Sequence, residues 1–132
     1  MEPSFSILLT DRNRHVRELL CRELTGEGYR VETARDGREV LGFLYHVATI
    51  DLLILDLDIP YVAEVGLLRK LSQLRPELPV IIHSFSQEDA GPFMSLQAAA
   101  FLEKSENTDH LKTMVHGMLV KAYPDRAEGG HR

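Results

Sequence analysis

Four consecutive aliphatic residues, Leu52-Leu53-Ile54-Leu55, stand between two aspartates, Asp51 and Asp56. No other feature constrains the fold as much. The run is far shorter than the ~20 apolar residues a membrane helix requires. It has neither the 3.6-residue period of an amphipathic helix nor the alternation of a half-exposed strand. In water such a segment is stable as a short strand covered on both faces, which places it at the centre of a parallel sheet.

The rest of the chain fits around that strand. Ser6 to Thr10 and Val80 to Ser84 are two further buried strands, and Ala99 to Leu102 makes a last strand. Tyr29 to Ala34 alternates weakly and suits an edge. Helical spacing fills the intervals. Asp11 to Gly26 carries Val16, Leu19, Leu20 and Leu24, and Asp36-Gly37 opens a stretch with Val40, Leu41, Leu44 and Val47. A third helix is predicted from about Ala63 to Arg75 with Val65, Leu68, Leu71 and Leu74 inward. The last runs from Thr108 to about Ala122 with Leu111, Val115, Met118 and Leu119 on one face. Between Ser86 and Gln97, Gly91-Pro92 disfavours a long helix, so residues 86–90 are expected as loop and the helix as about Pro92 through Gln97. Five strand–helix alternations imply right-handed crossovers and a three-layer α/β domain over residues 1–122. The Pro- and Gly-bearing tail, residues 123–132, is expected to fray.

Bulk properties remove several classes of function. With a net charge of −5 over 132 residues, the chain lacks the basic balance that phosphate-backbone binding needs. The single Cys21 excludes an internal disulfide and suits a reducing cytosol. The amino terminus has no basic leader or cleavage site, so a cytoplasmic protein is expected, with no membrane partner.

In open parallel sheets, ligands sit beyond the carboxyl ends of the strands. The predicted strands deliver Asp11, Asp56, Ser84 and Lys104 to that edge: two carboxylates, a hydroxyl and an ammonium from distant parts of the sequence. Taken singly each has a plainer reading, Asp11 as a helix cap and Lys104 as a surface lysine. His83, inside an apolar strand, reads as a buried histidine with its hydrogen bonds satisfied.

The segments Ile7 to Leu20, DLLILDLDIP, PVIIHS and FLEK, in this order, resemble the receiver domain of two-component response regulators over about residues 5 to 120. The resemblance implies a flavodoxin-like fold, strand order 2-1-3-4-5 with five helices. It makes Asp56 the phosphoacceptor, Lys104 the phosphate-pairing lysine, Ser84 the switch hydroxyl and Phe101 the aromatic switch. Magnesium would be held by Asp11, Asp56 and the backbone carbonyl of Asp58. A histidine kinase or phosphotransfer protein would be the donor. A downstream protein would bind the face of the fourth helix, fifth strand and fifth helix, and any enzymatic activity would be limited to the domain's own phosphotransfer and dephosphorylation.

Four departures from the family pattern bear on this. Arg12 stands where a second acid contacts the metal, Phe85 where a small residue follows Ser84, Ser105 where a proline follows the lysine, and Ala63-Glu64 where an Asp-Gly turn precedes the third helix. Arg12 is expected to weaken or abolish magnesium binding, and to border the metal site or pair with Asp56 or Asp58. The alternative function is therefore a pseudo-receiver, a phosphorylation-independent interaction module. A nucleotide-binding enzyme on the same fold would need a glycine-rich phosphate cradle after the first strand, and Thr10-Asp11-Arg12-Asn13-Arg14 has no glycine. With no output domain after residue 122, neither nucleic-acid binding nor catalysis by a linked domain is expected.

Overall fold

The computed structural model describes residues 4–46 and 49–129, with only the backbone at 128 and 129. Val47, expected on the second helix, lies outside the described residues. Five parallel strands, β1 (Ser6–Thr10), β2 (Arg30–Ala34), β3 (Leu52–Leu55), β4 (Val80–Ser84) and β5 (Ala99–Glu103), form one sheet in the order β2-β1-β3-β4-β5. β3 is central and β2 is an edge, as the hydrophobic patterns predict.

Strand alternation divides the core into two layers. Leu8, Leu53, Leu55, Val80 and Ile82 face α2 (Gly37–His46) and α3 (Leu67–Leu74). Ile7, Leu9, Leu52, Ile54 and Ile81 face α1 (Arg14–Gly26) and α4 (Thr108–Ala122), where Leu20, Leu24, Leu111, Val115 and Leu119 meet them. Each fully buried Leu or Ile contributes about 1.5–3 kcal/mol, so the sheet edges are held by a core filled from both sides.

Four expectations are corrected. Leu19 is 42% exposed and not part of the inward face of α1. The third helix begins at Leu67, after Gly66 in the left-handed region (φ 63°), and turns Leu67 and Leu71 inward while Leu74 is exposed. Residues 61–66 form turns instead, and Gly66 supplies the backbone reversal that a residue with Cβ adopts at a cost. The segment around Gly91-Pro92 is a 3-10 helix, Glu88–Ser95, with Pro92 inside it. It starts earlier and ends earlier than expected and holds Ala90 and Phe93 in the core. The segment is wound more tightly than an α-helix, with i to i+3 bonds, so Pro92, which lacks an amide, interrupts no i to i+4 ladder.

The tail is the fourth. Residues Pro124–Gly129 form a short helix, α5. The Tyr123 hydroxyl donates to the Asp51 carbonyl (2.9 Å), and the Arg126 guanidinium takes both Asp51 carboxylate oxygens at 2.7 and 3.2 Å. Arg126 also lies over the Phe5 ring at 4.4 Å, and Ala127 is buried. Residues 123–127 are thus strapped to the amino-terminal edge of the sheet.

Candidate functional site

At the opposite edge, β1 and β3 end in Asp11 and Asp56, both fully buried. Thr10 fixes their relation: its Oγ1 donates to the Ile54 carbonyl (3.0 Å) and accepts the Asp56 amide (2.8 Å), tying the ends of β1 and β3 together. Asp56 Oδ1 accepts the Asp58 amide at 2.9 Å, and Oδ2 accepts the Arg12 amide at 2.9 Å and Lys104 Nζ at 2.8 Å. Three donors from three segments fix the carboxylate's orientation.

Asp11 turns one oxygen, Oδ1, to the amide of Asn13 (2.8 Å). Asn13 in turn caps α1, its Oδ1 accepting from His15 and Val16. The Arg17 guanidinium holds the Asp11 carbonyl at 2.7 Å. The other oxygen, Oδ2, lies 3.1 Å from Lys104 Nζ but off the alignment of a hydrogen bond, and is buried with no donor. The ammonium thus interacts with Asp11 by charge and with Asp56 by charge and hydrogen bond.

Lys104 is 9% exposed and reaches the carboxylates because its own amide donates to the Ser84 carbonyl (2.8 Å), which locks the end of β5 to β4. The Phe85 ring, 71% exposed, stands 5.3 Å over its ammonium. Ser84 is buried beside this cluster, and its Oγ accepts the Ser86 amide at 3.5 Å. It makes no side-chain bond to Asp11, Asp56 or Lys104. Phe101 is half-buried on β5 against the α2–α3 layer.

Arg12 meets its sequence expectation only in part. It lines the cavity beside Asp11 and Lys104, but its contact to Asp56 is through the backbone amide. Its guanidinium pairs with neither Asp56 nor Asp58. Lys104 already lies on the two buried carboxylates, and the exposed Arg12 side chain keeps its hydration instead.

His83 is the residue whose reading changes most. It is 5% exposed and its Nδ1 has no hydrogen-bond partner, so it is buried but not satisfied. Side-chain alternation puts it on the same sheet face as Ile54, Ile81 and Asp56. Burial, reinforced by the nearby Lys104 charge and partly offset by Asp11 and Asp56, pushes its pKa down to about 4, so it is neutral near pH 7. Thr10, Arg17 and the orphaned nitrogen of His83 left no mark in the sequence: a strand-ending Thr and a helical Arg are common for other reasons.

Among the described residues no cluster of three or more His, Cys, Asp or Glu side chains could hold a metal. A magnesium ion, which prefers oxygen and is often held by only one or two carboxylates plus phosphate and water, is nevertheless compatible with the site. The uncommitted, buried Oδ2 of Asp11 lies within reach of the same ammonium as Asp56, and this is the donor chemistry such an ion takes.

Residues 7–116 match the response regulator receiver domain family. The chain belongs to that family. It is 30% identical over 125 residues to response regulator MprA of Mycolicibacterium vanbaalenii, covering 93% of this chain and 54% of the relative. The chain therefore spans about half the length of the curated relatives it matches. Response regulator protein TrrA of Thermotoga maritima, solved in complex with Mg(2+)-BeF, superposes with a TM-score of 0.74 at 30% identity, covering 86% of this chain and 98% of that one. A CheY-like receiver domain protein of Methanospirillum hungatei gives a TM-score of 0.82 at 24% identity, over 93% and 99% of the two chains, and bears on the fold alone. The receiver is a two-component signalling domain and not a conventional enzyme. No helix among the described residues is long and apolar enough to cross a membrane.

Proposed function

We propose that this receiver accepts a phosphoryl group on Asp56 from a histidine kinase or phosphotransfer protein and changes its binding to a downstream protein in response. The observation that carries the reading is Lys104 Nζ lying 2.8 Å from Asp56 and 3.1 Å from Asp11 at a buried sheet edge. Asp56, oriented by the amides of Arg12 and Asp58, is the nucleophile, one carboxylate oxygen bonding to phosphorus as the donor's leaving group departs. Lys104 then pairs with the transferred phosphoryl oxygens, and Ser84, one strand away, is the hydroxyl that closes on them. Asp11, Asp56 and the Asp58 carbonyl would hold magnesium, which when bound supplies positive charge against those oxygens. Phe101, half-buried beneath the 3-10 segment's side of the sheet, is the aromatic that would repack. The downstream partner would bind the face formed by the 3-10 segment, β5 and α4.

A second reading, the phosphorylation-independent interaction module, is favoured by one observation: the residue after Asp11 is the cationic Arg12 and supplies no carboxylate to a metal. Intact-mass measurement after incubation with acetyl phosphate and magnesium separates the two. A single phosphoryl adduct, lost in Asp56→Asn, is expected. An unmodified mass at saturating donor, with the fold intact by circular dichroism, would leave the pseudo-receiver.

A further inference from the structure

Among the described residues, Tyr61 is the one residue other than glycine with a positive φ, 69°. A large side chain crowds the backbone in that region, so the conformation persists only where the surroundings hold it. Such outliers gather at functional sites. This one lies five residues after Asp56 and three after Asp58, in the loop that joins β3 to α3.

The hold comes from the start of α2. Gly37 is buried there, and its amide is one of the first-turn donors that a helix leaves without an internal partner. It donates to the Pro60 carbonyl at 2.8 Å. A Cβ at Gly37 would stand 2.7 Å from the Tyr61 carbonyl oxygen and 2.9 Å from the carbonyl carbon, so only glycine lets the loop sit this close. That oxygen also accepts the Val65 amide at 3.1 Å, so it is held from a second side. The next residue, Arg38, places its guanidinium 4.0 Å from the centre of the Tyr61 ring and is aimed by Asp36, 3.2 Å away. Asp36 in turn accepts the Glu39 amide at 2.9 Å and caps the helix. A backbone bond, a close approach and a cation–π contact therefore meet on two consecutive loop residues, Pro60 and Tyr61.

We propose that the start of α2 is a platform that places the phosphoacceptor loop, with Gly37, Arg38 and Tyr61 as positioning residues. The link from Tyr61 back to Asp58 is two residues long. Pro60 has its φ fixed by its ring, and Ile59 is buried in the core. With so few free dihedrals, a shift at Tyr61 reaches Asp58. The Asp58 amide donates to Asp56 Oδ1 at 2.9 Å, so displacing it removes one of the donors that orient the Asp56 carboxylate. The sheet delivers Asp56 to the edge, and a helix packed on one face of that sheet sets the loop that aims it. The consequence for phosphotransfer rests on Asp56 being the phosphoacceptor; the placement of Asp58 does not.

Amide hydrogen exchange of the full chain, followed by NMR, reads the placement of Asp58 without metal or phosphodonor. The reference is the β3 amide of Leu53, which donates to the Pro79 carbonyl and reports opening of the sheet. Gly37→Ala should raise the exchange rate of the Asp58 amide relative to that of Leu53 by about tenfold. Gly42→Ala makes the same change on the same helix, where a Cβ meets no other part of the molecule within 4 Å, and should leave the ratio unchanged. Arg38→Ala, at an exposed position, should raise it about threefold, and Arg38→Lys, which keeps a cation over the ring, should restore most of the protection. Adduct formation with acetyl phosphate and magnesium should slow in Gly37→Ala and not in Gly42→Ala. A ratio unchanged in both Gly37→Ala and Arg38→Ala would overturn the inference, as would equal adduct rates in the two glycine variants. Should Gly37→Ala fail to fold, Arg38→Ala decides alone. No adduct in the unsubstituted protein would sink the phosphoacceptor reading instead, and the exchange ratio would still decide the platform.

Discussion

Asp51 and Asp56 sit at the two ends of β3, both buried and both paired with a cation delivered by a late part of the chain, Arg126 from α5 and Lys104 from the end of β5. At the amino end, Asp51 is saturated. Its Oδ2 accepts the Ser6 amide at 2.8 Å, its two oxygens take the fork of Arg126, and its carbonyl takes the Tyr123 hydroxyl. At the carboxyl end, Asp56 shares its lysine with Asp11, whose second oxygen has no donor. One end has as many donors as its acceptors need; the other has two carboxylates for one ammonium. A closed set of partners holds structure together. An open set, at the edge where parallel sheets bind ligands, leaves work for a ligand to do.

The comparison breaks most visibly in the phosphorylation assay. Asp56→Asn should abolish the phosphoryl adduct, whereas Asp51→Asn should retain it; loss in both would mean the amino end matters to chemistry. The stability ranking should run the other way. Asp51→Ala strands the buried Ser6 amide and frees Arg126, and should cost about 2–3 kcal/mol in urea denaturation. Asp11→Asn removes part of an unbalanced charge pair, and should change stability by less than about 1 kcal/mol. A larger loss for Asp11→Asn would erase the distinction between the ends.

Arg12→Asp sharpens the picture at the open end. The amide at position 12 still donates to Asp56, since any residue supplies it, while the added carboxylate supplies a hard ligand. Magnesium affinity by calorimetry should rise at least about tenfold, roughly 1.4 kcal/mol. Equal, tight binding by both proteins would mean that Asp11 and Asp56 suffice. At the closed end, a smaller effect than that of Asp51→Ala is expected from Tyr123→Phe, which removes one half-buried hydroxyl bond to the Asp51 carbonyl and should cost about 1 kcal/mol. A negligible change would place the strap's contribution in Arg126 and its stacking on Phe5.

Much of the fold was legible because it rests on local pattern. β1, β4 and α4 match their predicted spans, and the apolar run before Asp56 is the central strand. The errors fall where a local pattern competes with tertiary packing. Leu74 shares the face of Leu67 and Leu71 by helical spacing yet is exposed, because α3 ends at this residue. The tail reads as polar and breaks at Pro124, but Pro124 opens a short helix whose Arg126 finds a buried carboxylate across the molecule. Of the site, Asp11, Asp56 and Lys104 converge as their strand ends suggested, while Ser84 joins them only through the backbone.

Residue type and order determined the alternation of strands and helices, the buried centre of the sheet and which side chains arrive at its carboxyl edge, since these follow from hydrophobic period and chain direction. Which cation pairs with which carboxylate was decided only by the tertiary structure. Arg12 is adjacent to Asp11 in sequence, yet its guanidinium pairs with neither Asp11 nor Asp56; Lys104, from the far end of the domain, lies beside both. Direction and reach of a side chain are set by the backbone it leaves, and that backbone is fixed by the hydrogen bond of Lys104 to Ser84 and the Thr10 bridge between strands, contacts between residues far apart in the chain.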